Sequence, residues 1–196
     1  MAFRASRGQT DGMLTRRTLL TSAVAAVAAG PIELAAAAPA PALSRAVVVR
    51  AGHDRTETHL KLLGVTPFDI KVSTADSGGN LFVLEHRDMG KGGPVRHLHL
   101  EQDEWFSPTK GEFLFEVGDE MFRLKPGDSI FAPRRVPHRW ACVGNPGTLL
   151  IALQPAGAIE RFFKTVGALR SRPTPEKLAE IFAAHGMQTL GPPLDV

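Results

Sequence analysis

Cysteine and tyrosine are the conspicuous absences in this 196-residue chain: Cys142 stands alone, and tyrosine does not occur. One thiol excludes an intrachain disulfide, so folding rests on the apolar core or on a bound metal. Without tyrosine there is no phenolic acid or base. No apolar run crosses a bilayer: residues 19–29 fall short of the roughly 20 apolar residues that a spanning helix needs. No basic stripe with interleaved aromatics is present, which argues against nucleic-acid binding. Nor is there an internal repeat, so the chain is too short and too varied for two barrels. A length of 196 residues favours a single main domain.

The net charge of +3 is unevenly placed. Residues 1–42 carry Arg4, Arg7, Arg16 and Arg17 against Asp11 and Glu33, leaving the remainder close to neutral. Thr15-Arg16-Arg17-Thr18-Leu19-Leu20 opens the short apolar run, and small residues follow, with Ala-x-Ala sites ending at Ala38, Ala40 or Ala42. A charged start, a short apolar middle and a small-residue tail form a signal peptide. The arginine pair resembles the twin-arginine (Tat) export signal, with Leu19 where phenylalanine is commonest and Thr21 where lysine is frequent. The resemblance implies an exported protein, periplasmic or secreted, that meets a membrane only through this peptide. Met13 is an alternative start.

Beyond residue 42, short apolar runs alternate with turn signals. Residues 46–50, 58–63, 68–73, 81–87, 97–100, 104–107, 112–117, 120–124, 129–132, 138–143 and 149–154 read as strands. Ser77-Gly78-Gly79-Asn80, Lys125-Pro126-Gly127-Asp128 and similar clusters separate them. Many short strands at close spacing predict an all-β sandwich or barrel over 43–155. Residues 156–196 predict a helical segment. Ile159, Phe162, Phe163 and Val166 share a face of one helix, and Thr174-Pro175-Glu176 opens another, closed by Gly186.

His97 and His99 lie two apart, and on a strand such residues face the same side. Glu104 follows after a short turn, and His138 comes on a later strand. Singly, each has an ordinary alternative, as a surface, solvated or loop-filling residue. Together they form a nitrogen/oxygen set that suits one divalent transition ion: Fe, Mn, Ni, Co, Cu or Zn. On an ion that prefers six ligands, four leave two positions open for a small-molecule substrate and O₂. Alternation puts Phe106 on the face of Glu104 and Trp140 on the face of His138. Phe113 and Phe115 share a face, and Phe122 or Met121 turns inward on the next strand. Phe106, Phe113, Phe115, Phe122 and Trp140 thus line an apolar substrate pocket or fill the core. His86 is either a second acid/base group, or exposed to solvent, or hydrogen-bonded in the core.

The order and spacing of these residues resemble the cupin superfamily. Its first motif fits Gly92-Gly93-Pro94-Val95-Arg96-His97-Leu98-His99, then Glu104, then six residues to Gly111. Its second fits Gly127 to His138 through Pro133, with Arg135 where glycine is usual, which predicts an altered turn and a cation near the rim. Cys142 stands where family members often carry asparagine. The resemblance implies a double-sheet jelly roll and metal ligation by His97, His99, Glu104 and His138. Locally the chain is most similar to small quercetin dioxygenase-like cupins, which implies a dioxygenase with Glu104 as ligand and proton acceptor. Non-catalytic ligand binding, or a metal-dependent lyase or isomerase, are the alternatives. Single-domain cupins often pair, so a homodimer is expected.

Overall fold

In the computed structural model, residues 42–62, 66–144 and 146–196 are described. The export-signal reading falls on residues 1–41, outside the described residues. Eleven strands and two helices follow in order: β1 Leu60–Leu62, β2 Thr66–Val72, β3 Phe82–Met89, β4 Arg96–His99, β5 Asp103–Lys110, β6 Phe113–Val117, β7 Glu120–Leu124, β8 Ile130–Ala132, β9 His138–Cys142, β10 Gly147–Gln154, α1 Ile159–Gly167, α2 Pro175–Ala183 and β11 Met187–Gly191.

The strands form two antiparallel sheets. One is ordered β1-β2-β3-β10-β5-β8, the other β11-β4-β9-β6-β7. This is the all-β double-sheet jelly roll that the resemblance implies, and it meets the sandwich or barrel that the strand spacing predicts. Alternate residues of β3, β5 and β6 turn inward: Phe82, Leu84 and His86 from β3, Glu104 and Phe106 from β5, Phe113 and Phe115 from β6. The two inner faces meet directly, with Phe106 of one sheet 5.1 Å from Phe115 of the other, centroid to centroid. Gly93 lies so close to β9 that any side chain there collides with the Trp140 carbonyl. The loop entering β4 is thereby pressed onto β9.

On the outside of the five-stranded sheet, Glu116 ties three strands together. It accepts from Arg96 Nε at 2.8 Å and from Arg139 Nη2 at 2.6 Å. Arg139 also donates to the Pro192 carbonyl at 2.9 Å, holding down the segment after β11.

Both expected helices form. Ile159, Phe162 and Val166 are the buried stripe of α1, and Phe163 is partly buried beside Phe68. Thr174 caps α2, accepting from Lys177 N at 3.3 Å, with Pro175 in the first turn. No described helix is long and apolar enough to cross a membrane.

Three expectations need correction. Residues 46–50 form no strand, and Val48 is 70% exposed; a valine run extends into a strand only where a partner takes its backbone bonds. The segment after residue 155 is not wholly helical: β11 returns to the five-stranded sheet and pairs with β4. Phe122 stands opposite Phe115 but on the edge strand β7, where it is 36% exposed instead of lining the interior.

Candidate metal centre

Two paired strands of one sheet and one strand of the other bring the four predicted residues together. His97 and His99 point inward from β4. Directly across from His97, in register, is His138, the first residue of β9. Glu104 is the first inward residue of β5 and comes from the facing sheet. All four side chains are buried. One potential ligand atom from each lies within 4.8 Å of all the others.

The hydrogen bonds decide which nitrogens face the centre. His97 Nδ1 lies 2.8 Å from the Val95 carbonyl oxygen, and His138 Nδ1 lies 3.0 Å from that of Val136. A carbonyl oxygen only accepts, so each Nδ1 carries the hydrogen. In a neutral imidazole the Nε2 is then bare, as a metal ligand requires. His138 Nε2 stands 3.0 Å from Glu104 Oε2, and His99 Nε2 stands 3.1 Å from the same oxygen. The His99 contact is too poorly directed for a hydrogen bond, so its buried Nε2 has no hydrogen-bond partner. Bare nitrogens crowding a carboxylate oxygen need a shared proton or a cation. The donor set therefore fits one metal ion.

Ionisation agrees with this. Burial by itself raises the Glu104 carboxyl, but the His99 and His138 imidazoles, 3.1 and 3.0 Å from Oε2, outweigh it. The group is held well below the usual carboxylate range. Burial pushes His97 down to about 3, and the neighbouring His138 and His99 imidazoles disfavour a proton there too. An ionised carboxylate and a neutral imidazole are the forms that bind metal.

Phe106, Phe113, Phe115 and Trp140 are buried and touch one another, with Trp140 6.4 Å from Phe106 and 6.1 Å from Phe113. Phe106 lies 6.1 Å from the His138 ring. His86 faces inward opposite Leu149, whereas Glu104 lies opposite Leu153. The four-residue offset along β10 sets His86 about 13 Å further down the barrel. Its Nε2 has no partner, and burial pushes the imidazole down to about 4. Cys142 is buried, with Sγ 3.1 Å from the Gly144 carbonyl oxygen.

At the rim, Arg134 grips Asp103 through Nε at 3.0 Å and Nη2 at 2.7 Å, and holds that carboxyl down at about 2. Arg135 adopts φ 64°, the left-handed conformation that suits glycine. Its backbone N–H donates to the His99 carbonyl at 2.7 Å, and its guanidinium reaches Leu100 O and Glu101. Substituting arginine has kept a left-handed turn.

Two neighbours of the ligands carried no signal of their own in the sequence. Gln102 lies against His99, and Phe182 of α2 packs edge-on against His97, 5.4 Å between centroids. A helical stripe marks Phe182 as buried without telling against what.

Residues 83–152 match the family described as cupin domain. Over 49 residues the chain is 33% identical to an uncharacterised protein of Methanocaldococcus jannaschii, a match that covers 25% of this chain and 39% of that protein. The chain thus spans about two fifths of its curated relative. Among solved structures it is similar to an RmlC-like cupin from Shewanella frigidimarina, at 24% identity and a TM-score of 0.43, over 55% of this chain and 93% of the other. It is also similar to KdgF from Halomonas sp., at 24% identity and a TM-score of 0.41, over 46% and 78%. The matched segment, residues 83–152, contains all four buried donors.

Proposed function

We propose that this cupin domain holds one divalent transition-metal ion through His97, His99, Glu104 and His138. We further propose that the exported protein is a dioxygenase acting on a small, enolisable and aromatic organic substrate. The carrying observation is the convergence of bare imidazole nitrogens and an ionised carboxylate in a buried centre.

An ion held there would supply Lewis acidity toward a substrate hydroxyl. Glu104 then takes the hydroxyl proton on its carboxylate. Its depressed pKa makes it a weak base, so it serves only a hydroxyl that has already been acidified. Phe106, beside His138, keeps the neighbouring wall apolar and excludes water from that side.

A binding role without turnover has one observation in its favour. Among the described residues, no further titratable side chain joins the four, His86 lying at another level of the barrel. The two readings separate by experiment. Purified protein should contain one metal ion per chain by elemental analysis, and His138→Ala should lose it. With the loaded protein, a panel of flavonols and β-diketones should be bound anaerobically and then consume O₂. Binding without uptake leaves the non-catalytic role, and unchanged metal in His138→Ala refutes the ligand set. Export belongs to the same proposal, and Arg16→Lys with Arg17→Lys should abolish it.

A further inference from the structure

We propose that Gln102 fixes which nitrogen of His99 is offered to the metal, and that the turn after β10 holds Gln102 in the required orientation. The inference rests on the metal-site reading above and concerns how one ligand is prepared.

His97 and His138 each bond the carbonyl two residues back. His99 instead meets a side chain: its Nδ1 lies 3.3 Å from Gln102 Oε1. A glutamine amide by itself decides nothing, because turning it over exchanges donor for acceptor. Here the other end is pinned. Gln102 Nε2 lies 3.0 Å from the Ala156 carbonyl oxygen, and that oxygen can only accept. The NH₂ therefore faces Ala156, and Oε1 faces His99. An amide oxygen in turn only accepts, so Nδ1 carries the hydrogen and Nε2 is bare toward the centre.

The pin is itself well held. Ala156 is fully buried, and its N–H donates to the Gly79 carbonyl at 3.0 Å. Its carbonyl also accepts from Ile159 N, at the start of α1. Next to it, Gly157 has φ 53°, and a side chain there would run into Gln102 Nε2. Gln102 is 3% exposed, so water does not replace either bond freely. The polar chain from α1 through Ala156 and Gln102 ends on His99. Gln102 is a positioning residue, acting through His99.

Three variants test this: Gln102→Leu, Gln102→Glu and Gly157→Ala. Ring-nitrogen chemical shifts of His99, read in ¹⁵N-labelled chain without added metal, report the tautomer. Competition titration with cobalt(II) reports affinity. The native chain should show the Nδ1–H tautomer. Gln102→Leu should give a mixture and weaken cobalt binding about 10- to 100-fold. Gln102→Glu keeps an oxygen toward Nδ1 and should hold its affinity near the native value. Were Gln102 mere packing, the order would reverse, with apolar leucine harmless and buried glutamate damaging. Gly157→Ala should shift the tautomer and weaken cobalt binding in the same direction as Gln102→Leu. If it does not fold, the two Gln102 variants decide. Native tautomer and native affinity in Gln102→Leu overturn the proposal. If the native chain binds no cobalt, the metal-site reading fails, while the shifts measured without metal still judge Gln102.

Discussion

His86 carries a buried imidazole with an unpartnered Nε2, and this makes it an acid-sensitive point. Burial moves its pKa from the ordinary 6.5 down to about 4. Between those values the unfolded chain binds a proton that the folded chain refuses. Stability is therefore complete above pH 6.5 and declines as the pH falls toward 4, by about 3 kcal/mol for this one group. Replacement by an apolar residue removes both the proton and the orphan nitrogen. His86→Leu should flatten the loss of stability between about pH 7 and about pH 5, read as urea midpoints. Parallel pH dependence in the two proteins would show that the acid sensitivity lies elsewhere. Arg135 invites a second test at this scale. It holds a left-handed φ of 64°, which costs a residue with a Cβ roughly 1 kcal/mol. Arg135→Gly should raise the thermal midpoint without changing metal content. The four clustered donors were legible as residues because motif spacing fixes chemistry and position together. Gln102 was not, because its partner is the Ala156 carbonyl, 54 residues away, and no local pattern encodes that meeting.

Elements were legible where short apolar runs stand between turn signals. The expectation for 120–124 matches β7, and α1 and α2 start where the apolar stripe and Thr174-Pro175 place them. The expected 46–50 strand failed because propensity without a pairing edge yields no strand. β11 was missed for the opposite reason: Met187-Gln188-Thr189-Leu190-Gly191 has weak β character, and the waiting edge of β4 makes it a strand. Between the two, α2 turns Phe182 against His97 and against Phe162, 4.9 Å away. Phe182 is only 5% exposed. Phe182→Ala should cost about 3 kcal/mol or more in denaturant unfolding. It should also weaken cobalt(II) binding, since the His97 ring loses a wall. A stability loss with native cobalt affinity would confine α2 to a packing role.

Across the whole molecule, the candidate centre draws His97, His99 and His138 from one sheet and Glu104 from the other. An ion there clamps the two layers together, and it binds the folded state alone if the unfolded chain scatters its donors. Metal should then stabilise the fold by about 4 kcal/mol at a free concentration near 1,000 times its dissociation constant. Thermal midpoints measured with zinc and with a chelator should differ accordingly, and Glu104→Gln should shrink the difference. Equal midpoints in both conditions would mean that no ion bridges the sheets. Pairing of two copies is the proposal at this scale that the fold leaves to hydrodynamics. Sedimentation should give about twice the 21.1 kDa mass of the chain for a dimer.

The position of β4 has a consequence in time. It lies between β9 and β11, and its partner on one side is encoded far downstream of the ligands. A nascent chain that has emerged only as far as α2 already owns every donor atom, yet the strand bearing His97 and His99 is still a raw edge. The candidate centre is thus finished by a segment synthesised after its last donor, and its final geometry waits for β11 to dock.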